Sequence, residues 1–286
     1  MHTITAKQQL SPNVTRLDVE ASRIATIRHP GQFVIVRKCE GTERIPLTIA
    51  DADEEKGTIT LVIQAVGKST RELVAMEVGE SIRDISGPLG HPTEMLTQGR
   101  AVCVGGGVGT AVVHPMAQGL SRAGVEVTSV IGGRSKEWVI FEPELAELGD
   151  VVVCTDDGSH GRQGFVTDAL KELLDAGGID ILYAVGPVPM MRAIAELTRP
   201  YGVKTIVSLN PVMVDGTGMC GGCRVDVGGT TRFACVEGPE FDGHEVDFDL
   251  LADRLGTYRE FEEEASCTSE TSGRCSGDNC RVGLTR

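Results

Sequence analysis

Ala101-Val102-Cys103-Val104-Gly105-Gly106-Gly107-Val108-Gly109-Thr110 is the stretch on which the fold turns. Four apolar residues without alternation read as a strand buried on both faces. The glycines after them let the backbone turn sharply and approach another group closely. Helical periodicity then runs to Ala123, and the same sequence of patterns recurs downstream. Residues 125–131, 151–155 and 181–185 are apolar strands, 166–176 and 188–198 are helical stretches, and 204–209 is a last strand. Strand–helix alternation of this kind predicts a parallel, doubly wound sheet over residues 98–209. In an open parallel sheet the loops at the carboxyl ends of the strands line one crevice. Gly106-Gly107-Val108-Gly109-Thr110, then Asp156-Asp157-Gly158, then Gly186-Pro187 with Met190 are expected to converge there on a phosphate-bearing ligand. The glycines are bunched more tightly than in the dinucleotide fingerprint. The next strand ends on Gly132-Gly133-Arg134-Ser135-Lys136 rather than on an acidic residue.

On the N-terminal side, residues 13–21, 32–39 and 58–66 have the β-branched alternation of half-buried strands, punctuated by Pro30-Gly31 and Glu55-Lys56-Gly57. Only 70–76 reads as helix. Residues 1–97 are therefore expected to form a small antiparallel barrel, making the fold class α/β plus β. Arg44-Ile45-Pro46-Leu47-Thr48 follows a predicted strand, and Gly67-Lys68-Ser69-Thr70 opens a short helix whose free N–H groups could face a pyrophosphate. The bland alternative is an ordinary barrel turn and an ordinary helix cap.

The chain has 286 residues, 41% of them hydrophobic, which allows two or three compact units with substantial cores. A formal charge of −14 argues against nucleic acid as a partner. No apolar run approaches the ~20 residues of a membrane span, and no signal peptide is visible at the N-terminus, so the expected location is cytoplasmic. Nine cysteines in a reducing compartment point to metal or redox chemistry rather than disulfides. Cys103 and Cys154 lie in apolar runs and read as buried small hydrophobes. His114 and His160 read as structural or surface residues, and no Ser–His–Asp or Cys–His arrangement stands out.

Downstream of the sheet, Asp215-Gly216-Thr217-Gly218-Met219-Cys220-Gly221-Gly222-Cys223 is followed by Phe233-Ala234-Cys235, giving Asp-x4-Cys-x2-Cys-x11-Cys. Two cysteines separated by two residues can share one metal centre, and glycine amides can point at the sulfurs. A [2Fe–2S] cluster needs four ligands; Asp215 stands where a fourth would fall, beside Cys220, Cys223 and Cys235. A zinc site with His244 as fourth ligand is the alternative, although zinc sites usually carry paired knuckles and only one is present.

This segment and the sequel Val236-Glu237-Gly238-Pro239-Glu240-Phe241-Asp242-Gly243 resemble the iron–sulfur domain of two related kinds of electron-transfer subunit. One serves NAD-dependent dihydroorotate dehydrogenases, and usually has four cysteines. The other is the small subunit of NADH-dependent reduced ferredoxin:NADP+ oxidoreductases, which has Asp in the first ligand position, as here. The resemblance reaches to about residue 258 and implies a small [2Fe–2S] domain over 210–258. It also implies that the N-terminal barrel is the FAD-binding barrel of the ferredoxin–NADP reductase superfamily. In that frame Pro46, Leu47 and Thr48 should meet the flavin ring and ribityl chain, with Thr48 near the hydride-accepting N5. Ile63, Gln64 and Ala65 should pass behind it, Gly67, Lys68, Ser69 and Thr70 should hold the pyrophosphate, and Arg44 could neutralise phosphate or simply be a surface charge.

The resemblance further implies that the parallel sheet binds NAD(H), with Arg134 and Lys136 raising the question of NADP. Electrons would pass between NAD(H), FAD and the [2Fe–2S] cluster. They would leave through a larger flavin and [4Fe–4S] subunit resembling the glutamate synthase small subunit, and reach ferredoxin through that complex. The alternatives are the electron-transfer subunit of a dihydroorotate dehydrogenase, or of a complex such as a hydrogenase. Residues 259–286, with Glu260-Phe261-Glu262-Glu263-Glu264 and then Cys267, Cys275 and Cys280, lie outside the resemblance and are expected to be an exposed or partner-docking extension. An extra metal site there, with Asp278 or a partner ligand, is the alternative.

Overall fold

The computed structural model describes residues 1–257, so the expectations for the C-terminal segment and its cysteines lie outside the described residues. The chain begins with β1 (His2–Ser11), β2 (Val14–Glu20), α1 (Ser22–Ile27), β3 (Phe33–Arg37), β4 (Ile45–Asp53), β5 (Thr58–Gln64), α2 (Lys68–Val74), β6 (Ser81–Ile82) and β7 (Asp84–Leu89). The strands form one antiparallel sheet in the order β6-β1-β2-β5-β4-β3-β7. Its two end strands are separated in the chain by Arg83 alone, whose amide donates to Lys38 O at 3.0 Å, so the sheet curls into a nearly closed barrel. Ile4, Leu17, Val34, Ile49, Ile59, Leu61 and Ile63 fill it. The opposite pleat of β2, β4 and β5 carries Val14, Ala50 and Val62 into the core of the neighbouring unit, so β5 is buried on both faces and the other two are so at those positions. Contrary to expectation, residues 70–76 are not the barrel's sole helix. The six residues of α1 bury Ile24 and Ala25, too few to show a period in sequence. β1 has no clear strand pattern in the sequence, because His2-Thr3-Ile4-Thr5-Ala6-Lys7-Gln8-Gln9 buries little beyond Ile4.

The second unit runs β8 (Arg100–Gly106), α3 (Thr110–Arg122), β9 (Glu126–Gly133), α4 (Glu142–Ala146), β10 (Asp150–Thr155), β11 (Arg162–Gln163), α5 (Val166–Ala176), β12 (Ile181–Val185), α6 (Val188–Thr198) and β13 (Lys204–Ser208). The last segment adds β14 (Arg224–Val227), β15 (Thr230–Phe233), α7 (Ala234–Glu237), β16 (Glu240–Asp242) and α8 (Phe248–Gly256). The second sheet is ordered β11-β10-β9-β8-β12-β13-β16, parallel up to β13, with β16 antiparallel at the edge. The chain fills one side of β8 with β9 and β10, then crosses to the other side with β12 and β13. The crevice of this doubly wound sheet therefore opens between the carboxyl ends of β8 and β12. α5 packs on it through Val166, Ala169, Leu170 and Leu174, the i, i+3, i+4, i+8 stripe of an amphipathic helix. Each fully buried Leu in that stripe contributes about 1.5–3 kcal/mol of burial.

Candidate functional site

The hairpin β14–β15 explains the long spacing in the cysteine sequence. Gly228 and Gly229 both take positive φ (61° and 71°), as a two-residue hairpin turn requires. The register then pairs Arg224 with Phe233, and Ala234 N donates to Cys223 O at 3.1 Å. The chain thus returns to its starting point, and Cys223 Sγ and Cys235 Sγ lie 3.2 Å apart, both buried. Cys220 is exposed, with its sulfur 3.5 Å from the Gly222 amide. Asp215 turns its carboxylate into the same loop, accepting from Thr217 N and Cys220 N, both at 2.7 Å. These amides hold the Asp215 carboxyl below the usual carboxylate range.

Burial, together with the adjacent Cys223, pushes the Cys235 thiol up to about 12. Two buried sulfurs in contact can both be thiolates only with cations between or beside them, which a metal centre supplies. Among the described residues no three His, Cys, Asp or Glu side chains converge as a single ion would require. The arrangement is instead a sulfur pair, Cys223 and Cys235, with Asp215 and Cys220 a short stretch of loop away. That donor set fits a centre of two irons with two ligands each. His244 does not belong to it: its Nε2 lies 3.0 Å from Thr198 Oγ1, and its carbonyl accepts from Arg199, so the zinc alternative loses its fourth ligand.

The cysteine loop is seated on the barrel. A Cβ at Gly216 would lie 2.6 Å from Leu89 Cδ1 and 2.9 Å from Ile35 Cγ1. Ile35 pairs across the sheet with Pro46, Val34 with Leu47, and Phe33 with Thr48. As expected, residues 45–48 follow a strand, β3, and they open β4; Pro46, Leu47 and Thr48 are half-buried. One wall, β3, therefore separates the neighbour of Asp215 from the segment expected at the flavin ring. Ile63 is sealed in the barrel core, so only Gln64 and Ala65 of that trio present side chains outward.

Gly67 precedes α2, and Thr70 Oγ1 accepts from Val66 N at 3.1 Å and Gly67 N at 3.0 Å, fixing the start of the helix. The Ser69 hydroxyl donates to the Glu43 carboxylate, which ties this helix start to the strand entry beside Arg44. Lys68 and Arg44 are both exposed at that junction.

Around the crevice, two of the expected loops touch directly. A Cβ at Gly106 would lie 2.4 Å from Met190 Sδ and 3.3 Å from Pro187 Cδ; one at Gly186 would lie 2.5 Å from Met190 Cε. Gly109 backs onto Val185, where a Cβ would come within 2.3 Å of the carbonyl oxygen, while Gly107 faces open space. Val108 and Thr110 complete the turn, with Thr110 beginning α3. The third loop joins through β9: Asp156 N donates to Gly133 O at 3.2 Å, Asp157 N to Arg134 O at 3.3 Å, and Lys136 N to Ser159 Oγ at 2.8 Å. Gly158 takes φ 73° in that turn. Trp138, the sole tryptophan, was missed by the sequence reading. It packs under Gly133, and the Arg134 guanidinium carbon lies 6.0 Å from its ring centroid. His114 is buried under Phe141 with Nδ1 3.2 Å from Ala50 O, and His160 contacts Glu142, so both are structural.

Comparison with known proteins matches the barrel and the cysteine segment to two families. Residues 1–93 match the oxidoreductase FAD-binding domain family, and residues 210–247 match the iron–sulfur cluster binding domain of dihydroorotate dehydrogenase B. A homolog of the dihydroorotate dehydrogenase B (NAD(+)) electron transfer subunit from Thermotoga maritima is 46% identical over 92% of this chain and 93% of its own. The electron transfer subunit of that enzyme from Bacillus cereus is 35% identical over 85% of this chain and 96% of its own. A solved chain from the structure of an NADH-dependent reduced ferredoxin–NADP oxidoreductase superposes with a TM-score of 0.91 at 43% identity, covering 95% of this chain and 98% of that one. An Amycolatopsis cytochrome P450 reductase shares the fold at 21% identity, with a TM-score of 0.61 over 70% of this chain and 65% of its own.

Proposed function

This chain belongs to the family of dihydroorotate dehydrogenase B electron transfer subunits and their homologues, and from that premise we propose how its own residues divide the work. It is an NAD(H)-dependent flavin and iron–sulfur oxidoreductase subunit that passes electrons onward within a larger complex. When bound, the flavin exchanges a hydride with the nicotinamide and single electrons with the iron–sulfur cluster. Pro46 and Leu47 hold the ring by packing, and Thr48 presents a hydroxyl to its reactive edge. Gln64 and Ala65 back it, while Gly67, Lys68, Ser69, Thr70 and Arg44 bind its pyrophosphate at the start of α2. Gly106, Gly107, Val108, Gly109, Thr110, Gly186, Pro187 and Met190 shape the nucleotide crevice. Asp156, Asp157, Gly158 and Arg134 close its far end, at the ribose and adenine. Asp215, Cys220, Cys223 and Cys235 would hold the iron–sulfur cluster.

The observation that carries this reading is the contact of Gly216 with Ile35 and Leu89, because it sets the metal loop against the strand paired with Pro46, Leu47 and Thr48. Val214, Met219 and Val236 are exposed around that loop, as suits the face through which electrons leave. The partner in this reading is a larger flavin subunit with [4Fe–4S] clusters, exchanging electrons with ferredoxin in the cytoplasm; the reading is supported by the likeness to a chain of an NADH-dependent reduced ferredoxin–NADP oxidoreductase. The curated relatives favour a second reading, in which the partner is a dihydroorotate dehydrogenase. Co-purification from the native host separates the two by the identity of the captured subunit. The purified chain should show a flavin plus iron–sulfur spectrum and oxidise NADH with an artificial acceptor. A colourless protein, or a strong preference for NADPH, would overturn the assignment.

A further inference from the structure

Glu240 carries a carboxyl that the flavin segment, the nucleotide crevice and the cysteine loop do not use. It opens β16 opposite Ser208, and its Oε1 accepts from Thr93 Oγ1 at 2.6 Å on the linker that leaves the barrel. Gly31 makes the space: a Cβ there would lie 2.4 Å from Oε1 and 2.3 Å from Thr93 Oγ1. The residues just before it are pinned from both sides. His91 N donates to Gly238 O at 2.6 Å, and Leu209 N donates to Pro239 O at 2.9 Å. Gly90 abuts the same pair, where a Cβ would lie 3.0 Å from Pro239 Cδ. The carboxyl thus lies where the barrel, the parallel sheet and the cysteine segment meet, five residues after Cys235.

The titratable groups facing it do not neutralise it. Cys103 on β8 is buried and pushed up to about 12, chiefly by desolvation. Tyr183 on β12, also raised by burial, donates its hydroxyl to Glu94 O at 2.6 Å. The Glu94 carboxylate is turned outward to Lys204. Among the described residues no cation pairs with Glu240. A carboxylate desolvated without a cation is costly. Burial pushes the Glu240 carboxyl up to about 7, with the Thr93 hydrogen bond opposing.

We propose that Glu240 is the group that takes up a proton when an electron enters the cofactor sites of this chain. The inference rests on the cofactor reading above and adds a residue to it. An electron added to a poorly solvated region raises the proton affinity of a nearby carboxylate, because the two negative charges repel through a low dielectric. One electron enters, one proton moves from solvent to a Glu240 oxygen, an O–H bond forms, and the local charge is unchanged. Thr93 accommodates both states, its hydroxyl donating to the carboxylate and accepting from the acid. Reoxidation returns the proton to solvent.

The test is a redox titration of the holoprotein, following the reduced-cluster EPR signal between about pH 5.5 and 8.5. In the native protein the cluster's electron affinity should fall as pH rises, by at most tenfold per pH unit, which is about 59 mV for one electron. Glu240→Gln should flatten that dependence and hold the potential at the native low-pH value. Thr93→Val should move the inflection to higher pH, because the hydrogen bond that favours the carboxylate is gone. If Glu240→Gln retains the native pH dependence, or Thr93→Val leaves the inflection in place, the proposal is overturned; a merely structural role would alter stability and leave both unmoved. Should Glu240→Gln fail to fold, the Thr93→Val inflection decides. Absence of any reduced-state EPR signal would overturn the cluster reading itself, and this proposal with it.

Discussion

In the turn after β8, Gly109 stands where neighbouring backbone leaves no room; in the cysteine loop Gly216 and Gly218 stand where the chain must turn. Gly109 backs onto the Val185 carbonyl at a distance no Cβ could share. Gly216 and Gly218 instead take φ 76° and 83°, and Asp215 ties the loop down through two amide hydrogen bonds. The first loop follows β8, whose Val104 lies in a core with Val130 and Ala184, and it is held by packing, with Val108 set against the core on the other side of the sheet. The second is exposed at Cys220 and Met219 and is held by local hydrogen bonds and by its seat on Ile35 and Leu89. Disturbing the first should therefore damage the fold, whereas disturbing the second should damage metal binding and leave the fold standing.

The largest effect expected is for Gly109→Ala. The new methyl meets backbone that cannot rotate away, and about 3 kcal/mol of stability should be lost, read by denaturant unfolding. A change below about 1 kcal/mol would break the contrast between the loops.

Glu240→Gln, at the seam joining both regions, comes next and is pH-dependent. The folded carboxyl is raised from 4.5 to about 7, so the native state binds its proton more tightly than the unfolded chain. The associated stability is complete below the unfolded value and is lost as pH rises through the folded one. Shifts of this size correspond to up to about 3 kcal/mol, less in practice because the residue is only half-buried. The Gln variant should match the native protein at low pH and exceed it in melting temperature above about pH 7.

Asp215→Ala should cost only about 1–2 kcal/mol in the metal-free protein, for the amide bonds it leaves unmade, while most of the bound iron is lost. Thermal melts and iron content, measured on one preparation, separate the two effects. Gly106→Ala should be mildest. Its methyl meets the flexible end of Met190, so about 1 kcal/mol is expected, with weakened NADH binding that Met190→Ala restores. Failure of that rescue would move the nucleotide away from this turn.

The legible part of the molecule is the part whose information is local. α5 and α6 begin and end where their apolar periodicity does, at 166–176 and 188–198, because each helix buries one stripe against a sheet. Asp215, Cys220, Cys223 and Cys235 announce themselves by residue type and spacing, since few chemistries other than metal binding place cysteines in a glycine loop so. Trp138 carried a faint signal, as the sole tryptophan of the chain four residues past Arg134.

By itself, then, the sequence determined the strand–helix alternation, the glycine turns and the Asp-x4-Cys-x2-Cys-x11-Cys spacing, all of which depend on residues near one another in the chain. Only the tertiary structure decided that β16 joins the parallel sheet in reverse and that the cysteine loop rests on β3. It also decided that Glu240 is turned inward onto Thr93 from 147 residues away. These are long-range packings, and whether a carboxylate in a three-residue edge strand faces water or a neighbour is set by what packs against that edge. Nothing in Gly-Pro-Glu-Phe-Asp specifies it.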